Sequence, residues 1–311
     1  MNFKVVGIGE VLWDLLPGGR QLGGAPANFA YHAGALGAEA RVISRVGDDE
    51  LGRELMKQLK KLRLRADCVE RDPLLPTGTV SVEVDAAGQP HFTIHEGAAW
   101  DNLQGEPAGR IAVSQADAIC FGTLAQRSEP SRSTIRRLVA TTSPRALRIF
   151  DVNLRQHFCP PPIIEDSLAL ADVLKVNESE LPRLAEMFGL TDGERAQITQ
   201  LIERFELRCV AYTRGGRGSL LFADGRWSDH PGVRVNVVDT VGAGDSFTAA
   251  MTLGFLAGWT LDEINQRANE VAAYVASCAG GTPALPDTLR ALFQTNRPAV
   301  QAQEPRALKT K

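Results

Sequence analysis

Short continuous apolar runs recur along this chain, separated by stretches with helical spacing. Lys4 to Gly9 reads as a buried first strand ending in Gly7-Ile8-Gly9-Glu10, and Arg41 to Val46 reads as another. Gly47-Asp48-Asp49-Glu50-Leu51-Gly52 then opens a helix, with acids suited to its positive end. From Ala116 onward the pattern becomes strand, helix, strand, helix. Ala118 to Gly122, Arg148 to Val152 and Cys209 to Thr213 are strands, Ser131 to Ala140 is a helix, and Leu170 to Val176 leads into Asn177-Glu178-Ser179-Glu180. Val233 to Val238 is strand-like, and helices follow at Ser246 to Trp259 and at Leu261 to Cys278. Alternating units with short connections predict an α/β fold with a mainly parallel sheet covered on both faces. One stretch differs. In Thr77 to Ala99, Val80, Val82 and Val84 alternate with polar residues, Ala86 to Gln89 turn the chain, and His91 to His95 alternate again. This predicts a hairpin in a small β appendage, a candidate lid over a pocket. The polar tail from Asn296 is expected to fray, and no internal repeat is visible.

Two glycine-rich stretches carry the candidate chemistry. Val238-Asp239-Thr240-Val241-Gly242-Ala243-Gly244-Asp245 sits where a helix begins. Its glycines leave backbone N–H groups open to a ligand, and a helix N-terminus attracts anions. A carboxylate there repels a phosphate unless it has a task, such as taking the proton from an attacking hydroxyl. The plainer alternative is a glycine-rich turn with Asp245 as a helix cap. The second stretch is Gly23-Gly24-Ala25-Pro26-Ala27-Asn28, a tight bend with Pro26 in the first turn of a helix of small residues. Asn28 is placed to offer its amide to a polyol. Asp14 lies among apolar neighbours, where a surface-turn acid is the competing reading. Polar residues and glycines recur at strand C-terminal ends, the ligand-binding edge of open α/β sheets. Gly215-Gly216-Arg217-Gly218 is not a P-loop, and a lone Gly-Ile-Gly is weak evidence for a dinucleotide site because the third glycine of that fingerprint is missing.

Composition narrows the classes. The 311 residues carry a formal charge of −3, which gives no reason to expect nucleic acid, and no stretch is long and apolar enough for a membrane span. Five scattered cysteines without a CxxC suggest reduced thiols in a cytoplasm. The five histidines have no HExxH spacing, and the start is too short an apolar run for a signal peptide.

Taken together, the two stretches resemble the signatures of the PfkB (ribokinase-like) carbohydrate kinases. Gly23 to Gly52 is similar to the first signature, GGAPAN followed by a small-residue helix and GDDxxG, and Asp239 to Met251 is similar to the second, DTxGAGDxF. The resemblance spans roughly residues 3 to 292. Gly9-Glu10 with Asp14, the Ala25-Pro26-Ala27 version of the first signature, and Asp151-Val152-Asn153-Leu154-Arg155 resemble the fructokinase-like branch. The chain departs from it at Phe158-Cys159, where a tryptophan-type residue is expected.

The resemblance implies a single ribokinase-like domain, with a lid from about residues 11–22 and 77–99. It implies transfer of the γ-phosphoryl of ATP to a primary hydroxyl of a small sugar, fructose first among candidates. Alternatives within the family are 2-keto-3-deoxygluconate, ribose or a nucleoside; a sensor without turnover is the alternative outside catalysis. It makes Asp245 the base and Gly242, Ala243 and Gly244 the amides that receive the phosphoryl group. Asp14, Gly24, Asn28 and Arg155 would hold the sugar. Asn177, Thr213, Gly215, Gly218 and Asn269 would line the nucleotide site, with Glu180 organising Mg²⁺. The carbonyls around Asp239, Val241 and Gly280 would take a potassium ion. Exposed edges of a small lid suggest a homodimer.

Overall fold

The computed structural model describes residues 3–16, 18–84, 90–191 and 193–294. Its strands are β1 (Lys4–Ile8), β2 (Leu12–Leu16), β3 (Gly19–Gly23), β4 (Glu39–Gly47), β5 (Val69–Asp72), β6 (Gly78–Val84), β7 (Pro90–Ile94), β8 (Ala118–Phe121), β9 (Leu147–Asp151), β10 (Val173–Asn177), β11 (Cys209–Thr213), β12 (Ser219–Ala223) and β13 (Arg226–His230). The helices are α1 (Ala25–Ala35), α2 (Glu50–Lys61), α3 (Pro107–Ser114), α4 (Glu129–Ala140), α5 (Pro161–Leu170), α6 (Leu181–Phe188), α7 (Glu194–Phe205), α8 (Ala243–Leu256), α9 (Leu261–Ala276) and α10 (Asp287–Leu292).

Nine strands form the large sheet, in the order β13-β12-β11-β10-β9-β8-β1-β4-β5. All neighbours are parallel except β11–β12 and β12–β13. A second sheet, β3-β2-β6-β7, stands apart from it, with β2 and β6 parallel and hairpins on either side. The predicted α/β architecture with a small additional β-sheet is therefore present. The predicted turn at 86–89 and the tail from 296 lie outside the described residues.

The period of two in the strands explains the double cover. Val6 and Ile8 join one apolar layer, with Ile135 of α4, Ile164 of α5 and Ile198 of α7. Val5 joins the other, with Phe29 of α1, Leu55 of α2, Phe247 of α8 and Ile264 of α9. Each fully buried side chain of this kind contributes about 1.5–3 kcal/mol, whereas an exposed ion pair contributes about 0–1. The two layers, not the surface charges, hold the sheet in place.

Small residues decide how near the site helices lie. A Cβ at Gly7 would stand 2.2 Å from the Pro26 carbonyl oxygen, so glycine there lets α1 close on β1. A Cβ at Gly254 would stand 2.8 Å from Ile264, so α8 and α9 pack almost backbone to backbone. All residues from Ser246 to Gly254 are buried.

One local expectation needs correction, and one competing reading falls. Val233 to Val238 is not a strand. The sheet ends at β13, no strand lies alongside this segment, and Val237 and Val238 are each 63% exposed. Alternating valines give the same pattern whether or not a neighbour exists to pair with them. Asp14 is not in a surface turn. It lies on β2, opposite Gln21 of β3.

Candidate active site

The site is built where β1, β9 and β10 end and where α1 and α8 begin. Gly24 precedes α1 at φ 111°, and a Cβ there would stand 2.5 Å from the Glu10 carbonyl oxygen. That bend carries the chain into the first turn of α1 and sets Asn28 facing α8. Asn28 Nδ2 donates to Asp245 Oδ2 at 2.8 Å across 217 residues of sequence.

Gly242 precedes α8 at φ 76°, a conformation that costs a residue with a side chain roughly 1–2 kcal/mol. No side chain caps this N-terminus. Asp245 is the third residue of the helix and turns to Asn28 instead of back to the amides, so the capping alternative fails. Ala243 N–H reaches Thr240 O at 3.3 Å, longer than an ordinary N–H···O hydrogen bond. The turn thus has the form of an anion-binding helix mouth.

The approaching segment is tied down from outside. Asp239 Oδ1 accepts from Val241 N and its Oδ2 from Gly280 N, both at 3.0 Å, so one side chain joins the segments before α8 and after α9. His32 Nε2 bonds Gly281 O at 2.9 Å, and Tyr31 donates to Pro283 O at 3.1 Å. Loss of water around the His32 ring lowers its pKa to about 4, so the ring is neutral and Nε2–H is the donor.

Charge gathers around the helix mouth. Enclosure by protein and the neighbouring Asp151 carboxylate raise Asp245 to about 6, against the Asn28 hydrogen bond and the cations Lys175 and Arg155. Burial raises Glu10 to about 7 and Asp14 to about 6, and Arg155 opposes both. Arg155 is exposed in a loop whose Asn153 and Gln156 have φ 46° and 47°. Such backbone conformations cost of order 1–3 kcal/mol each and persist where surrounding structure holds them. Glu180 does the holding: Oε1 accepts from Leu154 N at 3.0 Å and Oε2 from Asn177 N at 2.9 Å. Asn177 Oδ1 accepts from Ser179 N and Glu180 N, closing the turn that leads into α6.

The remaining candidates lie along the adjoining edge. Thr213 ends β11, and the turn after it places Gly215 at φ 56° beside Glu178. A Cβ at Gly218 would stand 2.0 Å from His230 O, so this turn closes directly on the end of β13. Asn269 on α9 is buried, and its Nδ2 donates to Ser219 Oγ at 2.7 Å and to Asn265 O at 2.8 Å. Asp14, Gly24, Asn28 and Arg155 therefore belong to the Asp245 end, and Asn177, Glu180, Thr213, Gly215 and Gly218 to the strand edge beside it.

Three charged residues at the site, Glu10, Asp151 and Lys175, have no role assigned to them from the sequence. Glu10 lines the cavity beside Asp245 together with Pro26, Phe29 and Asp151. Lys175 is buried on β10 and donates to Asp151 at 3.1 Å. Its signal was a lone charge inside the apolar run Val173-Leu174-Lys175-Val176.

A doubly covered sheet with a carboxylate set in an uncapped helix mouth is the equipment of a phosphotransferase acting on a hydroxyl. The family follows from comparison: a model described as pfkB family carbohydrate kinase matches residues 18–288, and the chain belongs to that family. It is similar to a fructokinase of Klebsiella pneumoniae, 33% identical over 304 residues, 92% of this chain and 97% of the relative. A sugar kinase of Pyrococcus horikoshii solved with ATP superposes with TM-score 0.75 at 29% identity, covering 89% of this chain and 94% of that one. A fructokinase of Vibrio cholerae solved with fructose, ADP and a potassium ion superposes with TM-score 0.75 at 25% identity, covering 94% and 98%.

Proposed function

We propose that this kinase transfers the γ-phosphoryl group of ATP to the primary hydroxyl of a small sugar, fructose being the acceptor, to give fructose 6-phosphate and ADP. The observation that carries the reading is Asp245, held by Asn28 inside the first turn of an uncapped helix. Asp14, Gly24, Asn28 and Arg155 hold the sugar with its hydroxyl against Asp245. The carboxylate takes the hydroxyl proton while the oxygen attacks the γ-phosphorus and the bond to ADP breaks. Amides at Gly242, Ala243 and Gly244 face the phosphoryl oxygens, where charge is greatest in the transition state. A pKa near 6 leaves Asp245 ionised at neutral pH yet basic enough to accept a proton.

Asn177, Thr213, Gly215, Gly218 and Asn269 form the nucleotide side. Among the described residues no three His, Cys, Asp or Glu side chains converge to cage a metal. That donor set fits Mg²⁺ held mainly by phosphate oxygens and water, with Glu180 orienting it. Bound Mg²⁺ neutralises phosphate charge. The carbonyls of Asp239, Val241 and Gly280 lie on two segments that the Asp239 carboxylate holds together, which suits a potassium ion. The small sheet acts as the lid. Its β7 edge, where Phe92 is 52% exposed, pairs with a second copy in a dimer. Among the described residues no helix is long and apolar enough to cross a membrane, and the proposed site of action is the cytoplasm.

The test is ADP release with a panel of acceptors. Fructose is expected to give the highest kcat/KM; a nucleoside, ribose or 2-keto-3-deoxygluconate exceeding it would overturn the acceptor assignment. D245N is expected to lose at least a hundredfold in kcat while still binding sugar. Near-normal turnover would overturn the base assignment. Sedimentation at micromolar concentration tests the dimer, and a monomer would remove it.

A further inference from the structure

Behind the anion-binding turn lies a buried pair of opposite charges that the transfer chemistry does not itself require. Lys175 and Asp151 are each 5% exposed. The ammonium donates to Asp151 Oδ1 at 3.1 Å, and Thr248, in the second turn of α8, donates to Asp151 Oδ2 at 2.9 Å. Thr248 Oγ1 also lies 3.0 Å from the Gly244 carbonyl. A Cβ at Gly244 would stand 3.1 Å from Lys175 Nζ, so the ammonium fills the space beside the phosphate turn that a side chain at this position would need.

A cation at a helix N-terminus opposes the helix dipole, and a buried ion pair is seldom the most stable filling for its space. Burying Lys175 here therefore calls for a reason beyond stability. The groups facing Asp245 supply one. They are Asp151 on β9, Lys175 on β10, Arg155 after β9, Glu10 after β1, Asn28 on α1, and Cys120 on β8. Lys175 is also near Glu180. It is thus the one buried cation among this set of acids, and it lies beside the turn that must meet the phosphoryl group.

We propose that Lys175 and Asp151 are positioning residues for phosphoryl transfer: their ion pair braces Gly244 and the first turn of α8 and sets the charge that Asp245 experiences. The proposal rests on the reading of Asp245 as the base. Asp151 raises the proton affinity of Asp245 and Lys175 lowers it, so the two members act with opposite sign.

The test is a cycle of K175M, D151N, the double variant and T248V, followed by kcat against pH, sugar and ATP KM, and thermal unfolding. K175M is expected to move the acidic limb of kcat upward by about one pH unit, and D151N to move it downward. The double variant is expected to return the limb to near its original place and to keep kcat at least tenfold low, because the support under Gly244 is gone. T248V retains every charge and is expected to leave the limb unmoved. KM should change less than threefold throughout. Should K175M fail to fold because Asp151 is left unpaired, D151N and the double variant decide the matter. Limbs that stay fixed while all variants lose only thermal stability would reduce the pair to scaffolding and overturn the proposal; so would a limb that moves in T248V. D245N separates the two readings. If D245N turns over normally, the base assignment has failed. If D245N is inactive and the K175M and D151N limbs coincide with that of the native enzyme, the base assignment stands and the proposal for Lys175 and Asp151 has failed.

Discussion

Replacing Asp245 by Asn should make the protein more stable while it destroys activity. The carboxyl pKa stands at about 6, against 3.8 for a free aspartate, because it is enclosed and faces Asp151. An acid moved that far upward costs about 3 kcal/mol at neutral pH. The sign follows from proton counts. Below pH 4 the carboxyl is protonated in both states and costs nothing. Between pH 4 and 6 the unfolded chain has released its proton while the folded one has not, so native stability falls as pH rises; above pH 6 the penalty is constant. Asn does not titrate and keeps an oxygen to accept the Asn28 amide. D245N should therefore gain up to about 3 kcal/mol at pH 7, several degrees in Tm, with the gain disappearing near pH 4. Urea unfolding of both proteins at pH 4, 5, 6 and 7 measures it. Equal stability at pH 7, or a gain that does not depend on pH, would show that the carboxylate is not held in an unfavourable setting and would remove the physical basis for its basicity.

Three further outcomes are expected. G242A puts a side chain at φ 76° and 2.3 Å from Gly281 O, so it should lose at least 2 kcal/mol in unfolding experiments and most of its turnover. H32Q should abolish an acid-sensitive part of native stability. A ring with its folded pKa lowered to about 4 resists protonation that the unfolded chain accepts below about 6.5, so native stability falls as pH drops from 6.5 to 4, and unfolding curves at those two pH values should lie closer together in H32Q. R155Q removes a cation that opposes the raised pKa of Glu10, Asp14 and Asp245; kcat/KM for the sugar should drop and its acidic limb should rise.

How much could be read beforehand depended on whether a feature was local. The Gly242 to Asp245 turn was legible because glycine spacing, an acid and a following small-residue helix all lie within a few positions. Cys209 to Thr213 was legible to its ends, since a β-branched and aromatic run is bounded by a charged, glycine-rich turn. The hairpin of β12 and β13 had a local signal that passed unread: Asp224-Gly225, both at positive φ, joins two alternating runs. Val233 to Val238 misled because alternation reports shape and not partners. The Asn28–Asp245 bond, the Glu180 tie to Leu154, and the Lys175–Asp151 pair join residues from 24 to 217 positions apart. No spacing rule within one element reveals such pairs; the sheet has to be assembled first.

The complete burial of α8 between Ser246 and Gly254 bears on how this enzyme could diversify. A rod with no free side leaves almost no room for amino-acid replacement, so the reaction chemistry is anchored to the least changeable part of the chain. New acceptors must then be won at the periphery, through strands such as β2 and β7 and the loop bearing Arg155. An experimenter seeking altered sugar choice should randomise there and leave the helix alone.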